Sequence, residues 1–224
     1  MREATIVFDL DGTLVDTAPD LIHATNHTMR LCGLPPVAAA ELRPWIGFGA
    51  RRMIVEALRY SGHERTDDEI DDLLAEFLTH YSANIAAASQ PFDGARDVLK
   101  RLRSAGARLA VCTNKREALS RQLLTELDLL DLFDALAGRD TFPVCKPDPE
   151  HLFGSIRLAN GHPARAIMVG DSPTDIATAR AAGIRVVAVS FGYTDVPAEH
   201  LGADVLIDHY TQLEQALSDL LACA

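Results

Sequence analysis

Positive charge is scarce in this 224-residue chain: 21 Lys and Arg stand against 32 Asp and Glu, a formal net charge of −11. Nucleic acid is therefore not an expected partner, because such binding draws on counterion release at a cationic surface. Long apolar runs are missing too, and none approaches the roughly 20 residues of a membrane-spanning helix. The N-terminal Met1-Arg2-Glu3-Ala4-Thr5 leads into a short run that meets Asp9, which argues against a signal peptide. Cysteine is sparse and unspaced: Cys32, Cys112, Cys145 and Cys223 suggest neither a zinc motif nor a disulfide framework. Lysine is sparser still, with Lys100, Lys115 and Lys146 the only three among 21 basic residues. Internal repeats and low-complexity stretches are absent. What is present is ordinary globular composition, 48% apolar and 24% charged. The length suits a main domain with a smaller one inserted. A monomer or homodimer in a reducing cytoplasm is the expectation.

Four apolar runs read as buried parallel strands: Thr5 to Phe8, Arg108 to Cys112, Ala166 to Val169 and Arg185 to Val189. They are short and do not alternate, as strands covered on both faces should not. Helical periodicity lies between them. Ala95, Val98, Leu99 and Leu102 repeat at helical spacing with Gly106 as a stop; Leu119, Leu123, Leu124 and Leu127 mark a second helix, and Pro173 to Ala182 a third. Strands alternating with helices imply right-handed crossovers and an α/β, Rossmann-like doubly wound parallel sheet. Residues 17–88 break the rhythm with helices alone. Helices are expected over Thr17 to Cys32 and Ala50 to Tyr60. An apolar stripe from Ile70 to Tyr81 is opened by a Thr66/Glu69 capping box. The expected organisation is a core of residues 1–16 and 89–224 with an all-helical insert at 17–88.

Ligands of an open parallel sheet lie beyond its strands' carboxyl ends. There the sequence places Asp9-Leu10-Asp11-Gly12-Thr13, Cys112-Thr113-Asn114-Lys115 and Gly170-Asp171-Ser172-Pro173-Thr174-Asp175. Carboxylates converging on one edge repel unless a cation joins them, and Mg²⁺ is the natural hard, oxygen-ligated candidate. Asp9 and Asp11 invite a division into nucleophile and general acid/base, provided a turn at Gly12 swings Asp11 back. Turn-forming Asp residues are the bland alternative. Thr113 and Asn114 read either as a helix cap or as an anion site, and the two are compatible. Lys146, stiffened by Pro147 and Pro149, is either a compact cation between phosphate and carboxylate or a solvated lysine. Asp171 has no local structural task and reads as a direct metal ligand, whereas Asp175 also fits a cap on Ser172. His23 and His27 are i, i+4 but Ala24 replaces the Glu a zinc protease helix needs, so they read as surface or packing residues. The acidic stretch Asp67 to Asp72 reads as a solvated helix N-terminus.

Together, Asp9-x-Asp11-Gly12-Thr13, Thr113-Asn114, Lys146-Pro147 and Gly170-Asp171-x-x-x-Asp175 resemble the four motifs of haloacid dehalogenase-like phosphohydrolases. That resemblance implies a mobile helical cap over the core, with Asp9 as nucleophile and Mg²⁺ ligand. It implies Asp11 as acid/base and carbonyl ligand, Thr113, Asn114 and Lys146 on the phosphoryl group, and Asp171 with Asp175 completing the metal site. Pro44 to Met53 resembles the cap loop of bacterial phosphoglycolate phosphatases. This makes Gly47, Gly49 and Arg51 candidate substrate contacts, against an ordinary loop with Arg51 or Arg52 in solvent. The implied activity is Mg²⁺-dependent hydrolysis of a small phosphorylated metabolite, 2-phosphoglycolate foremost, through an aspartyl phosphate. Sugar-phosphate or nucleotide phosphatases, phosphomutases and a non-catalytic binding protein are the rivals. A dehalogenase would lack the acid at Asp11, and phosphonoacetaldehyde hydrolases need a cap Lys, which this chain lacks before Lys100.

Overall fold

The computed structural model describes residues 1–194 and 196–222, so Cys223 lies outside the described residues. The chain divides into two compact units: Met1–Asp16 with the chain from Pro91 onward, and Thr17–Gln90. In chain order the first unit contains β1 (Thr5–Phe8), β2 (Val15–Asp16), α5 (Ala95–Ser104), β4 (Arg108–Cys112), α6 (Glu117–Glu126), β5 (Ala135–Ala137) and α7 (Pro149–Leu158). It continues with β6 (Ala166–Gly170), α8 (Pro173–Ala181), β7 (Arg185–Val189), β8 (Val205–Ile207) and α9 (Leu213–Ala222). The second holds α1 (Ala18–Leu31), α2 (Ala39–Leu42), α3 (Ala50–Tyr60) and α4 (Asp67–Ala83). A short strand β3 (Gln90–Pro91) lies at the chain's return and pairs with β2.

Six strands form one parallel sheet in the order β5-β4-β1-β6-β7-β8. The four apolar runs are its four inner strands. The edge strands β5 and β8 carry three residues each, too few for a periodicity signal. Helices α7 and α8 cover one face, packing on Val7, Ala110, Met168 and Val186, while α5 and α9 pack on the other. The expected α5 positions Ala95, Val98, Leu99 and Leu102 are all buried. Each fully buried aliphatic side chain stabilises the fold by about 1.5–3 kcal/mol, which is why these runs, rather than local propensity, fix the sheet.

In the helical unit α1, α3 and α4 pack on one another. The capping box forms at α4: Thr66 accepts from the Glu69 amide, and the Glu69 carboxylate accepts from the Thr66 amide. The segment expected as a glycine-rich loop is a 3₁₀ turn over Arg43–Phe48, ended by Gly49 at φ +89°. No helix of the described residues is long and apolar enough to cross a membrane.

Candidate active site

The register of the central strands brings three segments together. Phe8 of β1 pairs with Val111 on one side and Val169 on the other, so the chain leaves the sheet at Asp9, Thr113 and Asp171 along one edge. Because β1 lies between the two windings of the sheet, this edge is its topological switch point. The Asp9 amide donates to the Val169 carbonyl at 2.9 Å, fixing the first turn. Gly12 then takes φ +81° and its amide donates to the Val15 carbonyl, the turn needed to redirect Asp11. A side chain at Gly12 would place Cβ 2.4 Å from Asp171 Oδ2, and one at Gly192 would place it 2.2 Å from Asp171 Cβ, so bare backbone encloses this carboxylate.

Asp9, Asp171 and Asp175 are buried, and each offers an oxygen within 4.8 Å of the others. Thr13 Oγ1 and the Tyr193 amide donate to Asp171 at 2.9 and 2.8 Å. Burial first, then the charges of Asp175 and Asp9, push the Asp171 carboxyl up to about 8. Burial likewise raises Asp9 to about 6, with Lys146 opposing. Lys146 Nζ lies 2.9 Å from Asp9 Oδ1 and 2.6 Å from Asp175 Oδ1, and is buried. Burial disfavours its charge, but Asp175 and Asp9 outweigh that and hold the ammonium above the ordinary lysine value. Lys146 is thus no solvated lysine. The bond to Pro147 that follows it is cis. Asp9 Oδ1, despite the ammonium beside it, receives no aligned hydrogen bond. Crowded buried carboxylates with raised pKa values and an undersatisfied oxygen fit a hard divalent cation, which restores ionisation by supplying the missing charge.

Asp175 does more than the capping reading expected. Its Oδ2 accepts from Ser172 Oγ and from the Ser172 and Asp171 amides, while Oδ1 holds Lys146. Thr113 and Asn114 do less in one respect: α6 starts at Glu117, whose amide donates to Asp140 at 2.8 Å, and its N-cap residue Arg116 makes no side-chain cap, so the helix-cap reading is corrected. The loop needs Thr113 elsewhere, because its Oγ1 accepts from the Lys115 amide at 3.2 Å. Asn114 donates to the Lys146 carbonyl at 3.0 Å, and its buried Oδ1 has no hydrogen-bond partner among the described residues.

Within the helical unit, Arg51 is bound to α4 through Asp67 at 2.7 Å and Asp71 at 3.3 Å. Two residues of the acidic stretch are therefore paired, and the unit itself accounts for the Arg51 charge. Arg52 pairs with Glu56 and lies 4.9 Å over the Trp45 ring. Gly47 has open space around it, and Gly49 forms the α3 N-cap. His27 stacks on His80 at 4.0 Å and His23 meets it at 3.2 Å, a packing cluster between α1 and α4.

Two residues of the core site had no assigned role from sequence. Lys115 Nζ lies 3.0 and 3.2 Å from the two oxygens of Asp11. Its rarity as a lysine and its place after Thr113-Asn114 were the available signals. The Tyr210 hydroxyl donates to the Thr13 carbonyl at 2.6 Å across 197 residues of sequence, for which no local signal exists.

Comparison with known proteins agrees with this geometry. Residues 6–189 match the family model of the haloacid dehalogenase-like hydrolases. A phosphoglycolate phosphatase of Mesorhizobium japonicum is 48% identical over 99% of this chain and 97% of its own length. One from Agrobacterium fabrum is 46% identical over 96% and 92%. Among solved structures, a predicted phosphoglycolate phosphatase of Haemophilus somnus superposes with a TM-score of 0.90 at 29% identity, covering 96% of this chain and 98% of its own. CbbY of Rhodobacter sphaeroides, solved with phosphate, gives 0.80 at 27%, covering 98% and 100%. With the sheet order, the convergent carboxylates and the buried lysine in place, the match completes the assignment: the chain belongs to the haloacid dehalogenase-like hydrolases.

Proposed function

We propose that this hydrolase of phosphoric monoesters is a Mg²⁺-dependent cytoplasmic phosphatase acting on a small phosphorylated metabolite, 2-phosphoglycolate foremost, through an aspartyl phosphate. The observation that carries the reading is the meeting of Asp9, Lys146, Asp171 and Asp175 at one sheet edge. The substrate rests on relatives at 46–48% identity that are named phosphoglycolate phosphatases.

Asp9, with the Lys146 ammonium 2.9 Å from its Oδ1, supplies the attacking oxygen. Lys146 has three N–H groups, one donated to Asp175 while the ammonium lies 2.9 Å from Asp9, so it has N–H capacity for a phosphoryl oxygen. Thr113 and Asn114 line the adjacent strand end and complete the phosphoryl cradle. Asp11 protonates the leaving oxygen and then takes a proton from the water that hydrolyses the acyl phosphate. Asp9, Asp171 and Asp175, with the Asp11 carbonyl, would hold Mg²⁺, which when bound neutralises phosphoryl charge. Such fixed charges are needed because unaided phosphate monoester hydrolysis demands accelerations up to about 10²¹. The helical unit of residues 17–88 is the cap in this reading, the core being residues 1–16 and 89–224, with Gly47, Gly49 and Arg51 as the cap's substrate contacts. For Arg51 this requires release from Asp67 and Asp71.

The test is phosphate release by the purified protein with Mg²⁺ from 2-phosphoglycolate, hexose phosphates and nucleotides, compared by kcat/KM. Preference for 2-phosphoglycolate, loss with chelator and loss in Asp9→Asn are expected. A hexose phosphate preferred over 2-phosphoglycolate replaces the substrate assignment, and inactivity on the whole panel sinks the enzymatic reading.

A further inference from the structure

We propose that Lys115 is the positioning residue for Asp11, an inference that rests on the reading of Asp11 as acid/base. The two side chains are 6% and 16% exposed, and the ammonium straddles both carboxylate oxygens at 3.0 and 3.2 Å. Asp11 needs such an anchor. It stands two residues beyond the nucleophile, and the Gly12 turn redirects its backbone while leaving its side-chain torsions to be set.

Lys115 is built to hold a fixed point. Its amide donates to Thr113 Oγ1, and its carbonyl accepts from the Arg139 amide at 2.9 Å. Gly138 presses so close that a Cβ there would lie 2.8 Å from the Lys115 carbonyl oxygen. The chain's ordinary cation is arginine, yet the buried cations on Asp9 and Asp11 are both lysine, whose compact ammonium fits among clustered oxygens.

The consequence is read most directly in the first half-reaction, although Asp11 serves as base in the second as well. The Asp9 oxygen forms a bond to phosphorus, and the bond from phosphorus to the leaving oxygen breaks with its electron pair. The proton of Asp11 passes to that oxygen, and Lys115 stabilises the carboxylate left behind. Esters of alcohols, whose alkoxides need that proton, therefore depend on Lys115. A nitrophenyl ester, whose leaving group is stable as an anion, depends on it only in the later hydrolysis of the aspartyl phosphate.

The experiment compares wild type, Lys115→Met and Lys115→Arg with Mg²⁺ on 2-phosphoglycolate, 2-hydroxyethyl phosphate and p-nitrophenyl phosphate. Lys115→Met should lower kcat/KM, which ends at aspartyl-phosphate formation, about 100-fold on both alkyl esters, the scale of a general acid. The kcat/KM on p-nitrophenyl phosphate should persist, while kcat falls on all three esters wherever the shared hydrolysis limits it, and Lys115→Arg should recover part of the loss. Equal loss of kcat/KM on all three esters, a loss confined to 2-phosphoglycolate, or no loss overturns the proposal. Wild type inactive on all three overturns the phosphatase reading instead. The pair itself is read without turnover, because with only three lysines the ¹⁵N-lysine spectrum is assignable by substitution. Asp11→Asn should shift the Lys115 Nζ resonance and leave that of Lys100 in place; an unmoved Lys115 signal overturns the proposal whatever the kinetics.

Discussion

His151 shows how one buried ring ties the site to stability. Its Nε2 donates to the Gly138 carbonyl at 3.1 Å, and its Nδ1 faces Cys112 Sγ, so the ring is neutral. Burial, then Lys146, lowers it to about 4 against an ordinary 6.5. Between those values the unfolded chain binds a proton that the folded chain refuses, so stability is lost as pH falls from 6.5 towards 4. His151→Leu should therefore lose less stability than wild type between pH 7.5 and 5, read as the difference between their melting-temperature shifts, because Asp9 and Asp171 are common to both. The neighbouring Cys112 thiol, pushed up to about 12 by burial, is packing and not a nucleophile. Asp175 shows the same economy of residues, since one carboxylate closes the cap of α8 and anchors Lys146.

Elements form where local and tertiary demands agree. Helix α4 has an acidic first turn, a reciprocal capping box and an inward face of Ile70, Phe77 and Tyr81. Thr66→Ala removes the acceptor for the Glu69 amide and should cost about 1 kcal/mol. Faster hydrogen exchange confined to the first turn of α4 would report it, and unchanged exchange would show that packing alone holds the end. Helix α6 is the contrary case. The Thr113-Asn114 pair before it has the residue types of a cap, but the helix begins only at Glu117 because the intervening loop is pinned to Arg139 and the site. Composition at a helix start reports capacity, and the tertiary partners decide its use.

At the scale of the molecule, the C-terminal region braces the catalytic edge. Residues beyond the family match at 189 supply β8, α9 and the buried Tyr210. The Tyr210 hydroxyl bonds the carbonyl of Thr13, whose own hydroxyl bonds Asp171. Tyr210→Phe leaves a buried carbonyl short of its donor and should lower stability by about 1–2 kcal/mol. Urea unfolding checks that value, and a parallel fall in Mg²⁺ affinity would show that the brace reaches the metal site. The net charge of −11 bears on the proposed function at this scale, because under that reading Lys146 and Mg²⁺ reverse it locally before a phosphate dianion settles.

By itself the amino-acid order determined the inner strands, the alternation with helices, the capped α4 and the list of polar residues at the strand ends. These are written in contiguous periodicity and in the short-range chemistry of turns and caps. Burial, pairing and charge were decided only on folding. That Lys146 reaches Asp175, that Lys115 reaches Asp11 and that Tyr210 reaches Thr13 depends on strand register and glycine-limited close approach. The edge strands β5 and β8 belong with these, being defined by the neighbours they pair with and not by three residues of pattern. The physical reason is common to all: an ion pair or a ladder hydrogen bond is a contact between distant segments, and one stretch of sequence carries only its half.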